Sequence, residues 1–138
     1  MIVSRGLNSD ELVEPNLMAI PATIAAYTEG FNWLHDLLDT INENFIYAEH
    51  EINKNLKNVK IVSGPATYLM WLDVSEISKD SKKLADYLRK ETGLIVSAGS
   101  IYRGNASQFL RLNLASPISM VEDGIERLIT GIKNFSKK

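Results

Sequence analysis

The hydrophobic positions of this chain follow a helical period in its first part and a strand-like alternation after it. Between residues 31 and 54 the apolar residues Leu34, Leu37, Leu38, Ile41, Phe45, Ala48 and Ile52 recur in steps of three and four. That spacing predicts one long helix with a single buried stripe. At 1.5 Å per residue it would be about 36 Å long. This exceeds what the core of a small domain needs and suits a connection running along two domains. A shorter helix is predicted over 21–29, with Pro21 at its first position and Gly30 as its stop.

After residue 55 the pattern changes. VKIV (59–62) and TYLMWLDV (67–74) predict strands, separated by the turn formers Ser63, Gly64, Pro65 and Ala66. A helix is predicted over 80–92, with Asp80 or Ser81 as cap and Gly93 just past its end. LIVSAG (94–99) and FLRLNLA (109–115) predict two further strands. The last helix is predicted over 119–135, with Val121, Ile125, Leu128, Ile129, Ile132 and Phe135 as its stripe and Ser119-x-x-Glu122 as a capping box. The order α, long α, β, β, α, β, β, α defines an α/β (α+β) fold class. It implies a small, largely antiparallel sheet with helices on one face, preceded by a long interdomain-type helix. The expected organisation is a tether over 1–16, a helical arm over 17–54 and an α/β small domain over 55–138.

Composition narrows the function. The chain has 138 residues, 45% of them hydrophobic, enough for a real core in one domain. Lys+Arg is 15 against Asp+Glu 17, a net charge of −2. Nucleic acid is therefore not an expected partner, because phosphate binding needs a basic face. There are no cysteines, which excludes disulfides, thiolate metal sites and a Cys nucleophile. No apolar run reaches about 18 residues, so no membrane span is expected. The first residues lack the apolar core of a secretory signal, and the cytoplasm is the expected location.

Few residues point to chemistry. His35 and His50 would stand about 22 Å apart on one helix and cannot share a metal, so no metal site is expected. GSIYRG (99–104) has glycine spacing but lacks the following Lys and Ser/Thr of a phosphate loop. Its surroundings, Ser97–Ser107, form a strand-to-strand loop with Tyr102 and Arg103 that either lines a site or merely connects. No serine triad can be assembled. In TYLMWLD, the residues Tyr68, Met70 and Trp71 are expected in the core, with Asp73 forming a turn at the strand end. Arg111 stands out. It lies in mid-strand, on a face shared with Phe109, Asn113 and Ala115. Its planar fork suits a carboxylate, although a solvent-facing alternation would also place it there.

Three segments in register, PNLMAIPATIAAYTEGFNWLHDLL, GPATYLMWLD and LIVSAGSIYRGNASQFLRLNLASP, resemble the C-terminal part of pyridoxal-phosphate (PLP) enzymes of fold type I. The similarity is to the cystathionine β-lyase / C–S lyase branch of the class I/II aminotransferases, the PatB and MalY type, and covers about residues 12–135. It implies an aminotransferase C-terminal small domain joined by a long helix to a cofactor domain. It implies that Arg111 grips the substrate α-carboxylate and that Ser97, Gly99 and Tyr102 border the substrate. The family's Schiff-base lysine, the Asp that partners the pyridine nitrogen and most phosphate-holding groups would lie upstream of residue 1. PLP is therefore expected in the full-length enzyme and not on this chain alone, which carries no catalytic residue. The expected partners are an amino-acid substrate, the N-terminal cofactor domain and a second copy in a homo-oligomer. Two alternatives remain: a stand-alone module binding a small carboxylate, and an oligomerisation module. In the latter, Ile20, Ile24, Phe31 and Trp33 on an uncovered arm drive self-association.

Overall fold

The structure, a computed structural model, describes residues 16–64, 66–102 and 104–137. Apart from Asn16, the expected tether therefore lies outside the described residues. The described residues divide into two compact units, one up to Leu37 and one from Leu38 on, with the boundary inside one helix.

In the first unit, helix α1 spans Ala19–Glu29 and has no buried residue. It starts two residues before the predicted position, so Pro21 sits inside the first turn rather than opening it. The cost is small, because N–H groups of the first turn have no intrahelical partner anyway. Gly30 ends the helix in close contact: a Cβ there would stand 2.5 Å from the carbonyl oxygen of Ala26. Helix α2, Phe31–Asn55, begins at the next residue.

In the second unit, the latter part of α2 buries Asn44, Ala48 and Ile52. Strands β1 (Lys60–Ile61), β2 (Leu69–Asp73), β3 (Ser97–Ala98) and β4 (Phe109–Asn113) form a sheet in the order β1-β2-β4-β3. Each neighbouring pair is antiparallel. Helices α3 (Ser81–Thr92) and α4 (Ile118–Phe135) complete the unit. One core joins Ala48 and Ile52 of α2, Met70 and Leu72 of β2, Leu84 and Leu88 of α3, Leu110 and Leu112 of β4, and Val121, Ile125, Leu128 and Ile132 of α4. The helices thus cover one face of the sheet, as the alternation in β2 and β4 requires.

The ends of elements carry the local corrections. Asp80 caps α3 by accepting from the backbone N–H of Lys83 at 3.0 Å, and Gly93 follows in the left-handed region at φ 74°. This is the expected start and stop. Helix α4 starts at Ile118 with Pro117 as its N-cap and no side-chain cap. The predicted Ser119–Glu122 capping box is therefore not formed, because Ser119 is already inside the first turn. Segment 94–99 yields a two-residue strand, since the chain turns into a 3₁₀ turn at Gly99–Ile101. Gly99 makes that turn possible. A side chain there would overlap the carbonyl oxygen of Ala106 and stand 2.7 Å from that of Phe109.

Candidate functional site

The face of the sheet opposite the core carries Leu69, Trp71 and Asp73 of β2 and Phe109, Arg111 and Asn113 of β4. Directly opposed residues of antiparallel strands point to the same side. Trp71 is opposite Arg111, and Ser97 of β3 is opposite Arg111 from the other edge. One cross-strand row thus reads Trp71, Arg111, Ser97. At the other end of the face Lys60 lies opposite Asp73.

Arg111 is half-buried and, among the described residues, forms no ion pair. Its Nη2 reaches the hydroxyl of Ser97 at 3.5 Å, the outer limit of a hydrogen bond. Its Cζ lies 4.8 Å from the centroid of the Tyr102 ring, a cation–π distance. The ring of Tyr102 meets Trp71 edge-on at 5.3 Å, and Trp71 meets Phe109 at 6.3 Å. The loop bearing Tyr102 is anchored by the buried hydroxyl of Ser81, which accepts from the N–H of Ser100 at 3.1 Å.

Of the residues expected at the site, Arg111, Ser97 and Tyr102 come together. Gly99 is buried and shapes the backbone of the same loop. Arg103 lies outside the described residues. Trp71 corrects the sequence reading, which placed it in the core. Met70 and Leu72 are buried, whereas Trp71 lies on the open face and Tyr68 is exposed. Parity was the available signal, because Trp71 stands two residues before the polar Asp73. Asp73 does form the expected turn: it accepts from the N–H of Ser75 at 2.9 Å. The hydrogen bonds from Ser75 hold the Asp73 carboxyl below its ordinary pKa.

Other candidates stay apart. His35 packs edge-on to Phe31, and His50 pairs with its neighbour Glu51 at 3.0 Å. Among the described residues no three metal-ligating side chains converge. No helix among them is long and apolar enough to cross a membrane.

The family "Aminotransferase class I and II" matches residues 1–128. The chain belongs to that family. It is 31% identical to cystathionine beta-lyase PatB of Bacillus subtilis over 125 residues, which cover 91% of this chain and 32% of that protein. It is likewise 31% identical to protein MalY of Escherichia coli, covering 90% of this chain and 32% of that protein. Among solved structures, a PLP-bound putative aminotransferase of Clostridium difficile superposes with a TM-score of 0.85 at 27% identity, covering 95% of this chain and 34% of the other. A PLP-bound C-S lyase of Staphylococcus hominis, complexed with L-cycloserine, superposes with a TM-score of 0.82 at 27% identity, covering 95% and 32%. The chain spans about a third of the length of these relatives.

Proposed function

We propose that this chain is the C-terminal small domain of a PLP-dependent enzyme acting on amino acids, a C–S lyase or an aminotransferase, and that Arg111 binds the substrate carboxylate. The observation that carries this reading is the row Trp71–Arg111–Ser97. It presents a half-buried guanidinium, with no ion pair among the described residues, on the face of the sheet that the helices leave open. A guanidinium removed from bulk water favours a carboxylate that meets its N–H fork edge-on. Ser97 can donate its hydroxyl beside it. Fixing the carboxylate at one end of an amino acid orients its Cα–H for proton removal elsewhere in the enzyme.

The described residues do not fit the cofactor itself. Lys60 is the lysine among the described strand residues, and its ammonium pairs with Glu76 at 2.8 Å. That bond raises the pKa of Lys60 above its ordinary value. Imine formation needs a neutral amine, so this lysine is set up for the opposite state. Cofactor-holding groups belong, on this reading, to another part of the enzyme, and the cytoplasm is its expected location.

The test is the substitution equivalent to Arg111→Ala in an intact relative such as PatB. The expected result is a rise in KM for the amino acid of roughly 30-fold or more, from a loss of about 2 kcal/mol or more. An unchanged KM and kcat would remove the assignment.

A second reading has one observation in its favour. Helix α1 buries nothing, and Tyr27, Phe31 and Trp33 of the first unit are 89%, 67% and 69% exposed. Self-association of the chain through this surface predicts a mass that rises with concentration in sedimentation. A monomer throughout would contradict it.

A further inference from the structure

The guanidinium of Arg111 needs something to hold its plane. A free Arg side chain has about 2 kcal/mol of rotamer entropy to lose on being fixed. The contact with Ser97 at 3.5 Å is too long to impose an orientation. The Tyr102 ring gives it a second contact, since Cζ of Arg111 lies over that ring, 4.8 Å from the centroid. A guanidinium lying flat on a ring keeps its in-plane N–H groups free, and those are the groups a carboxylate takes.

Tyr102, however, comes from a loop and is not part of the sheet. On the open face, its ring is met by Trp71, edge-on at 5.3 Å and 67°. Trp71 is fixed by its strand and by Phe109, edge-on at 6.3 Å and 80°. The backbone N–H of Trp71 also donates to the Ser63 hydroxyl at 2.5 Å, tying its strand at that point. We propose that Trp71 is a positioning residue: through the Tyr102 ring it fixes the plane of the Arg111 guanidinium, so that the free N–H edge faces an incoming carboxylate. The purpose assigned to this brace rests on the carboxylate reading of Arg111. The brace itself rests on the ring geometry.

The experiment uses the full 138-residue chain, ¹⁵N-labelled, with propionate as the probe. The Nε–Hε signal of Arg111 is identified by its loss in Arg111→Lys. In the parent chain this signal is motionally restricted, and propionate shifts it saturably. Trp71→Leu mobilises it and weakens propionate binding roughly five- to ten-fold. Trp71→Phe, which keeps a ring edge against Tyr102, restores most of the restriction. Tyr102→Leu, made in the loop rather than the sheet, mobilises the signal as well and decides the matter if Trp71→Leu does not fold. An Arg111 signal as restricted in Trp71→Leu as in the parent, or as restricted in Tyr102→Leu where Trp71→Leu is unfolded, overturns the proposal. Restriction that depends on both rings, with no response to propionate, supports the brace and removes the carboxylate reading instead.

Discussion

Asn44 and Leu114 lie 70 residues apart in sequence and are joined by a buried hydrogen bond of 2.8 Å. The same side-chain amide of Asn44, on α2, also donates to the carbonyl of Ser116 at 2.8 Å. The residue is 1% exposed. Helix α2 is thereby fastened to the exit of β4, three residues beyond Arg111. The Oδ1 of Asn44 has no partner among the described residues.

Removing this fastening takes the donor from the buried carbonyl of Leu114 and from the partly buried carbonyl of Ser116. Asn44→Ala is expected to destabilise the second unit by about 2–3 kcal/mol, read from denaturant midpoints. Asn44→Asp is expected to be worse at pH 7, since it aims a carboxylate at those carbonyls. A buried carboxylate has a pKa raised above its unfolded value, so the stability deficit grows as pH rises and shrinks as pH falls. An Asn44→Asp chain as stable as the parent at pH 7 would show that the amide donors are not needed.

Gly99 and Gly104 differ in why they are glycines. A Cβ at Gly99 would run into the carbonyl oxygen of Ala106, which is backbone and cannot swing away. Gly99→Ala is expected to cost about 2–3 kcal/mol and to displace the loop that carries Tyr102. Gly104 has φ 91° but nothing within 4 Å of a Cβ. Gly104→Ala is expected to cost only about 1 kcal/mol, from backbone strain alone. Equal melting shifts for the two variants would contradict this distinction.

Asp73 makes stability depend on pH in the acid range. Its folded pKa is depressed by the hydrogen bonds from Ser75. The contribution is therefore present above the ordinary carboxylate pKa and is lost as pH falls through the lower, folded value. Asp73→Asn is expected to lower stability at pH 7 by about 1 kcal/mol and to flatten the pH dependence below pH 4. Stability curves that run parallel for the two chains down to low pH would count against it.

The isolated chain should not capture PLP. Lys60 is paired with Glu76 as an ammonium, and the remaining described lysines lie outside the strands of the sheet. Incubation with PLP followed by borohydride reduction is expected to label the chain no more than a peptide of equal lysine content. Stoichiometric labelling at one lysine would mean that the chain contains a cofactor site of its own.

Much of the fold was legible in the sequence because periodicity and punctuation agreed. Asp80 and Gly93 bracket α3 where expected, since each satisfies a helix end in its own way. The 31–54 stripe became α2, Phe31–Asn55. Ser119–Glu122 misled, because a capping motif says nothing about whether a preceding Pro starts the helix sooner. Strand lengths were overestimated at 94–99, where Gly99 turns the chain under the constraint of a tertiary carbonyl. At the site, alternation placed Arg111 on the polar face. The nearly unbroken apolar run TYLMWLD points Trp71 to the core, whereas its parity with Asp73 puts it beside Arg111. The contact of Tyr102 with both could not be read locally, since it depends on how Ser100 anchors the loop to Ser81, 19 residues before it.

The central claim is that Arg111 recognises the charge of a carboxylate. The most direct measurement compares an amino acid with its neutral carboxamide as substrates of an intact relative, before and after the substitution equivalent to Arg111→Ala. The account predicts that the unsubstituted enzyme prefers the acid by roughly 30-fold or more in kcat/KM, and that the substituted enzyme loses most of this preference while changing little toward the amide. A preference that survives the substitution would place carboxylate recognition elsewhere and contradict the account.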